Sequence, residues 1–173
     1  LKKKKINNLK FKNIKKKIIL ITYHAQTNKD FKEDLKVINN IFKLTTLYKD
    51  FIYVFTNSNS DPGGLVLINK INKFCKKNKD RCINLNSLGH EQYLQCLNSS
   101  SMIIGNSSSG IIEASTLKVP FLNIGDRQKL RLKSNNVIDA STTFSSIKNS
   151  FKLALKIKKQ KIKAIFYKKK TAE

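Results

Sequence analysis

Arginine is scarce in this chain of 173 residues: of its 35 basic residues only Arg81, Arg127 and Arg131 are arginine, and the other 32 are lysine. Acidic residues are few too, 11 in all, which leaves a formal charge of +24. Such a charge ordinarily points to nucleic acid or an anionic membrane surface. The shortage of arginine counts against that, because reading a duplex or tracking phosphates favours the planar two-point grip of a guanidinium. Position counts against it as well. Nine lysines fall within residues 1–17 and nine more within 152–170, whereas 18–150 carries 17 basic and 10 acidic residues. The surplus therefore belongs to solvated ends, and nucleic acid is not the expected partner. The lysine skew, together with 19 asparagines, matches A/T-rich coding.

Cysteine is equally uninformative as chemistry. Cys75, Cys82 and Cys96 are an odd number, each lies in an apolar segment, and their spacing fits no zinc pattern. They read as reduced core thiols of a cytoplasmic protein, with no metal site expected. No apolar run reaches the length of a membrane span; "IILI" at 18–21 follows a lysine cluster but is too short for the apolar core of a signal peptide. The expectation is a soluble, non-exported protein without a membrane partner. Two common phosphate-binding patterns are missing, the P-loop ending Gly-Lys-Ser/Thr and the Gly-x-Gly-x-x-Gly fingerprint. A content of 40% apolar and 27% charged residues at this length fits one globular domain with a substantial core.

What is present is a regular alternation. "KIILIT" (17–22) reads as a buried strand, and the stretch 31–44 puts Phe31, Leu35, Ile38 and Ile41/Phe42 on one helical face. "FIYVFT" (51–56) is a second strand, and 64–77 a helix with Leu65, Ile68, Ile71 and Phe74/Cys75 inward. Strands at 82–86, 101–105, 120–124 and 136–139 follow, with helices at 90–98, about 110–117 and near 144–159. Short loops between alternating strands and helices imply parallel strands with right-handed crossovers, hence a doubly wound, Rossmann-like α/β domain. The expected organisation is a lysine-rich linker at 1–16, the domain at 17–160 and a basic tail at 161–173.

Ligands of such sheets bind beyond the carboxyl ends of the strands. The loops there are "YHAQTNKD", "NSNSDPGG", "NSLG", "GNSSSG" and "GDRQKLR", which together offer His24, Asn59, Ser87, Ser107–Ser109 and Arg127. The core needs none of these. A helix starting near Ser109 or Gly110 would aim unpaired N–H groups and its positive end outward, suited to an anion, and Glu113 one turn in can accept from a sugar diol. The plainer alternative makes Ser109 a helix cap within a polar turn. His24 alone would suit a packed loop histidine equally well; its place in Tyr-His-x-x-Thr at the binding edge makes it a site residue. His90 reads as an exposed helix start, and Asp61 and Asp126 as turn residues.

These residues carry a resemblance. "IIGNSSSGIIEA" followed by "NIGDRQ" is similar to the carboxy-terminal domain of the hydrolysing UDP-N-acetylglucosamine 2-epimerases, in the branch that feeds sialic and related nonulosonic acids. "TYHAQT" resembles that family's Tyr-His-Pro-x-Thr, "NSDPGG" its Asn-Ala-Asp-x-Gly-Gly, and "SLG" at 87–89 its Ser-Leu-Gly. Ala25, Leu65 and Leu130 stand where the family often has proline, arginine and glycine.

The resemblance implies two Rossmann-like domains in a glycosyltransferase-B-like arrangement, of which this chain holds the second. It implies that Ser107 and Ser108 hold the diphosphate, Glu113 the ribose hydroxyls, and Arg127 a phosphate. His24 is then catalytic, and Asn59 and Ser87 line the pocket. The implied reaction eliminates UDP to a 2-acetamidoglucal and adds water to release N-acetylmannosamine, with no nicotinamide and no obligatory metal. Acidic residues for the proton step would come from the amino-terminal domain, in cis or in trans, so this chain alone is expected to bind nucleotide weakly and catalyse nothing measurable. A fragment, one half of a split gene and a remnant are all compatible with that, as is a homo-oligomer. Two other functions stay open on the sequence: the donor-binding domain of a UDP-sugar glycosyltransferase, and a basic module that binds nucleic acid or a surface without catalysis.

Overall fold

The computed structural model describes residues 16–26, 30–56, 63–85 and 88–166. Runs of β-branched and aromatic residues form the strands β1 (Lys17–Thr22), β2 (Phe51–Thr56), β3 (Cys82–Leu85), β4 (Ser100–Gly105), β5 (Phe121–Ile124) and β6 (Val137–Ala140). The helices are α1 (Phe31–Leu47), α2 (Gly64–Lys77), α3 (Gly89–Ser99), α4 (Glu113–Thr116) and α5 (Phe144–Leu155). All strand pairings are parallel, in the order β3-β2-β1-β4-β5-β6. The chain thus winds outward from β1 in one direction, then returns to its other side, and the doubly wound fold expected from the alternation is the fold observed.

Because successive strand residues face opposite sides, the sheet divides its apolar residues between two cores. Ile19, Ile21, Tyr53, Phe55, Met102, Ile104, Leu122 and Ile124 pack with α1, α2 and α5. Leu20, Ile52, Val54, Ile103 and Phe121 pack on the opposite face with Leu97 of α3 and Ala114 of α4. Near-continuous apolar strands are what burial on both faces demands.

Two helical faces depart from expectation. In α2 the inward residues are Leu67, Ile71 and Cys75, four apart, so Leu65 turns outward and is 75% exposed. In α1 the buried face includes a carboxylate, Asp34, beside Val37, Ile38, Ile41 and Leu44. Its charge is matched by two donors, the Tyr23 hydroxyl at 2.8 Å and the Gln26 backbone N–H at 3.0 Å. Burial, and then the neighbouring Asp34 charge, push the Tyr23 phenol upward, so it stays a donor.

Of the expected segments, the linker at 1–16 falls almost wholly outside the described residues, as does 167–173 of the tail. Past α5 the chain remains on the domain: Ile162 is buried, the Lys163 N–H donates to Asn135 Oδ1 and the Ile165 N–H to Ser134 Oγ. Among the described residues no helix is long and apolar enough to cross a membrane.

The carboxyl edge of the sheet places Thr22, Gly105, Asn123 and Asp139 in one register row. Gly105 has φ +147°, and a Cβ there would lie 1.9 Å from the Thr22 carbonyl oxygen. Both the backbone conformation and the close approach require glycine. Gly105→Ala is expected to lower stability by about 3 kcal/mol, read as a reduced urea midpoint at unchanged slope. The three cysteines are free and buried, and burial pushes their thiols up, Cys75 to about 12 and Cys82 and Cys96 to about 11. A thiol reagent at pH 8 is expected to label the native chain on the order of 100-fold more slowly than the urea-unfolded chain.

Candidate functional site

The site grows from the switch in strand order, where β1 and β4 lie side by side and their following loops diverge. The positive φ of Gly105 turns the chain at the end of β4, and the next residue, Asn106, is fully buried. Its side-chain amide makes a two-point bond to the loop after β1: Oδ1 accepts the His24 N–H at 2.8 Å, and Nδ2 donates to the His24 carbonyl at 2.9 Å. Its backbone carbonyl accepts from the loop after β5, from Arg127 Nη1 at 3.2 Å and Gln128 Nε2 at 2.8 Å. One residue therefore ties together three loops.

The serines that follow do not open a regular α-helix. Residues Ser108–Gly110 form a single 3-10 turn, and α4 is only Glu113–Thr116. The capping serine is Ser107, whose Oγ accepts the Ser109 N–H at 3.3 Å, so in the plainer alternative of a capped polar turn the cap is Ser107 and not Ser109. Crowding explains the tight turn. A Cβ at Gly110 would lie 2.4 Å from the Phe121 ring, and Ile111 is drawn fully into the core. The far end of the loop is pinned by Asn136, whose Nδ2 donates to the Gly110 and Val119 carbonyls at 3.4 and 3.0 Å. Any donors offered to an anion here are N–H and hydroxyl groups of a fixed turn, with little help from a helix dipole of such short length.

The expected site residues divide into three groups. His24, Ser107, Ser108 and Arg127 are brought together around Asn106, with Ser107 mostly buried, His24 and Ser108 half-buried and Arg127 exposed. Glu113 lies one turn further on, half-buried, and its Oε2 is buried without a hydrogen-bond partner among the described residues. A carboxylate oxygen so placed is an acceptor in need of a donor. Asn59 and Ser87 lie outside the described residues. His90 is exposed at the start of α3, and the Asp126 carbonyl accepts the Lys129 N–H in a turn, as expected of both.

Three participants were not foreseen. Asn106 and Gln128 sit inside quoted motifs, but nothing in their spacing marks them as buried cross-links. Tyr93 of α3 reaches the loop from the second core, its hydroxyl donating to Ser109 Oγ at 2.7 Å. Burial raises the Tyr93 phenol, hydrogen bonds with Ser109 and Thr22 pull it back, and the Glu113 charge raises it again. Tyr93, Ser109, Thr22 and Glu113 are thus one electrostatic neighbourhood. The signal available in the sequence was a tyrosine on the short helix that leads into the strand before the serine loop.

Comparison with known proteins bears on the family and the fold. All 173 residues match the family described as UDP-N-acetylglucosamine 2-epimerase. The chain is 38% identical over 125 residues to a hydrolysing GDP/UDP-N,N'-diacetylbacillosamine 2-epimerase of Campylobacter jejuni, covering 72% of this chain and 32% of that protein. It is 38% identical over 145 residues to polysialic acid biosynthesis protein P7 of Escherichia coli, covering 80% and 35% respectively. The chain therefore spans about a third of the length of these curated relatives.

In fold, it is similar to the UDP-GlcNAc 2-epimerase of Methanocaldococcus jannaschii in complex with UDP-GlcNAc and UDP, with a TM-score of 0.71 at 22% identity over 88% of this chain and 42% of that one. The ADP-heptose heptosyltransferase II of E. coli is a more distant likeness, with a TM-score of 0.57 at 12% identity over 81% and 46% of the two chains. That likeness is one of fold alone, so the epimerase reading stands above the glycosyltransferase one. With its family matched from end to end and a curated 2-epimerase 38% identical over 72% of its length, this chain belongs to the UDP-N-acetylglucosamine 2-epimerase family.

Proposed function

We propose that the chain is the nucleotide-binding domain of a hydrolysing UDP-sugar 2-epimerase, one half of a glycosyltransferase-B-like pair, active in the cytoplasm once an amino-terminal domain completes the cleft. The observation that carries the reading is the assembly on Asn106 of His24, the serine turn and Arg127, with a Glu113 carboxylate oxygen one turn further on that has no partner among the described residues. Diphosphate lies against Ser108, the turn N–H groups and Arg127; Ser107 contributes mainly by shaping that turn. Glu113 accepts from the ribose hydroxyls. His24 stands at the sugar side of the diphosphate, and Asn59 and Ser87 complete the lining. The folded unit is taken as 17–160 together with the stretch to Ile165 that packs on it, between basic ends, and assembly with further copies is compatible with it.

The chemistry follows from that placement. Breaking the bond from the anomeric carbon to UDP develops negative charge on the departing diphosphate, which fixed donors and a guanidinium stabilise. The proton on the neighbouring acetamido-bearing carbon leaves to a base, giving an unsaturated sugar. Water then adds its hydroxyl to the anomeric carbon, and a proton returns to the neighbouring carbon from the other face. UDP and the 2-epimeric free sugar result, with no redox change. Identity to diacetylbacillosamine and polysialic acid proteins supports an acetamido sugar destined for nonulosonic acids.

The test is calorimetric titration of UDP into the purified chain at two salt concentrations. Saturable one-to-one binding is expected, weakened on the order of 10-fold or more in Glu113→Ala, which removes charge-assisted hydrogen bonds. Arg127→Ala is expected to weaken it comparably. Binding that is equal in all three proteins and vanishes with added salt would defeat the proposal and assign it to the lysine-rich ends.

A further inference from the structure

We propose that Asn106 is the positioning residue that couples His24 to the diphosphate-binding elements, so that bound nucleotide and histidine are held in one geometry. This rests on the UDP-binding reading above. The argument starts from the two hydrogen bonds its amide makes to a single residue 82 positions away, the His24 N–H at 2.8 Å and the His24 carbonyl at 2.9 Å. Together they reproduce with a side chain what two ladder bonds do between strands. A single bond leaves a residue free to pivot; a planar donor and acceptor pair fixes both position and orientation. The pairing joins the residue one past Gly105 to the residue two past Thr22, beyond the last paired position of the two strands.

The other half of the coupling is main chain. The Asn106 N–H donates to the Thr22 carbonyl at 3.3 Å, and its own carbonyl holds Arg127 and Gln128. The serine turn is covalently the next segment. A displacement of the turn or of Arg127 on binding diphosphate is therefore passed through one buried peptide unit to the backbone of His24. Few side chains could replace it. Aspartate would set an oxygen against the His24 carbonyl, and alanine or leucine would leave both His24 groups without these partners. From behind, the same loop is held by Asp34 through Tyr23 and Gln26, so Asn106 acts on a segment with little room to adjust.

The imidazole carbon-bound protons of the full chain, followed by NMR while UDP is added, test this. There are only two histidines, and His24→Ala assigns the signals. In the unsubstituted chain the His24 signal is expected to move and saturate with the calorimetric binding curve. In Asn106→Ala, brought to full saturation with more UDP, the movement should shrink by at least half. Asn106→Asp, close in shape, provides the same reading should the alanine variant not fold. A folded variant whose His24 signal moves as far as in the unsubstituted chain overturns the proposal and leaves Asn106 a structural role only.

An arm without substitution reads the clamp itself. The His24 amide should exchange with solvent on the order of 100-fold more slowly than in an unstructured peptide, and unprotected exchange overturns the proposal. UDP that binds by calorimetry without moving His24 in the unsubstituted chain overturns the coupling alone. UDP that does not bind removes the underlying function.

Discussion

A buried amide must satisfy both its donor and its acceptor, and at Asn106 that requirement organises the whole carboxyl edge of the sheet. Left unpaired, its polar atoms would each cost about 1–3 kcal/mol of desolvation. They are paired to the loop after β1, while the peptide carbonyl of the same residue is paired to the loop after β5. Three loops that the topology sends in different directions are thereby kept in register. Removing Gly105 would disturb this first, because only a glycine lets β4 approach Thr22 closely enough to deliver Asn106 to its partners.

The scaffold beneath has its own logic. Parity along each strand sends alternate residues to two separate cores, and the site draws support from both. His24 is braced from the α1 side through Asp34, and the serine turn from the α3 side through Tyr93. A change in one core alone would loosen one wall of the site and leave the other in place. The buried, partnered polar groups here tie the loops to the layers in a way that apolar packing, lacking direction, does not.

The fold was legible because its signals are long and redundant. Six β-branched or aromatic runs, spaced by helices with apolar stripes, leave few alternatives to parallel winding. Helix orientation was less legible: with apolar residues at Leu65, Val66, Leu67 and Ile68, periodicity alone does not choose a face, and packing put Leu67 inside. The serine segment was readable as a polar loop at the carboxyl edge but not as a 3-10 turn, since the close approach of Gly110 to the Phe121 ring joins residues from different elements. Asn106 was quoted among the small polar residues, yet its task is set by a partner 82 residues away, which local reading does not reach. Tyr93 was missed for the same reason.

The strand direction also separates two kinds of positive charge. Lys16 and Lys17 lie at the start of β1; Lys159 Nζ reaches the Ser100 carbonyl at the start of β4; and Lys163 sits beside Asn135, just before β6. All are at the amino edge, whereas Arg127 and the serine turn are at the carboxyl edge. A six-residue strand such as β1 spans about 20 Å, more than two screening lengths at physiological salt. The described lysines near the chain ends are thus electrically remote from the serine turn. A diphosphate bound there, as proposed, would feel little of them, and changes of charge among these described lysines would leave its binding unaltered.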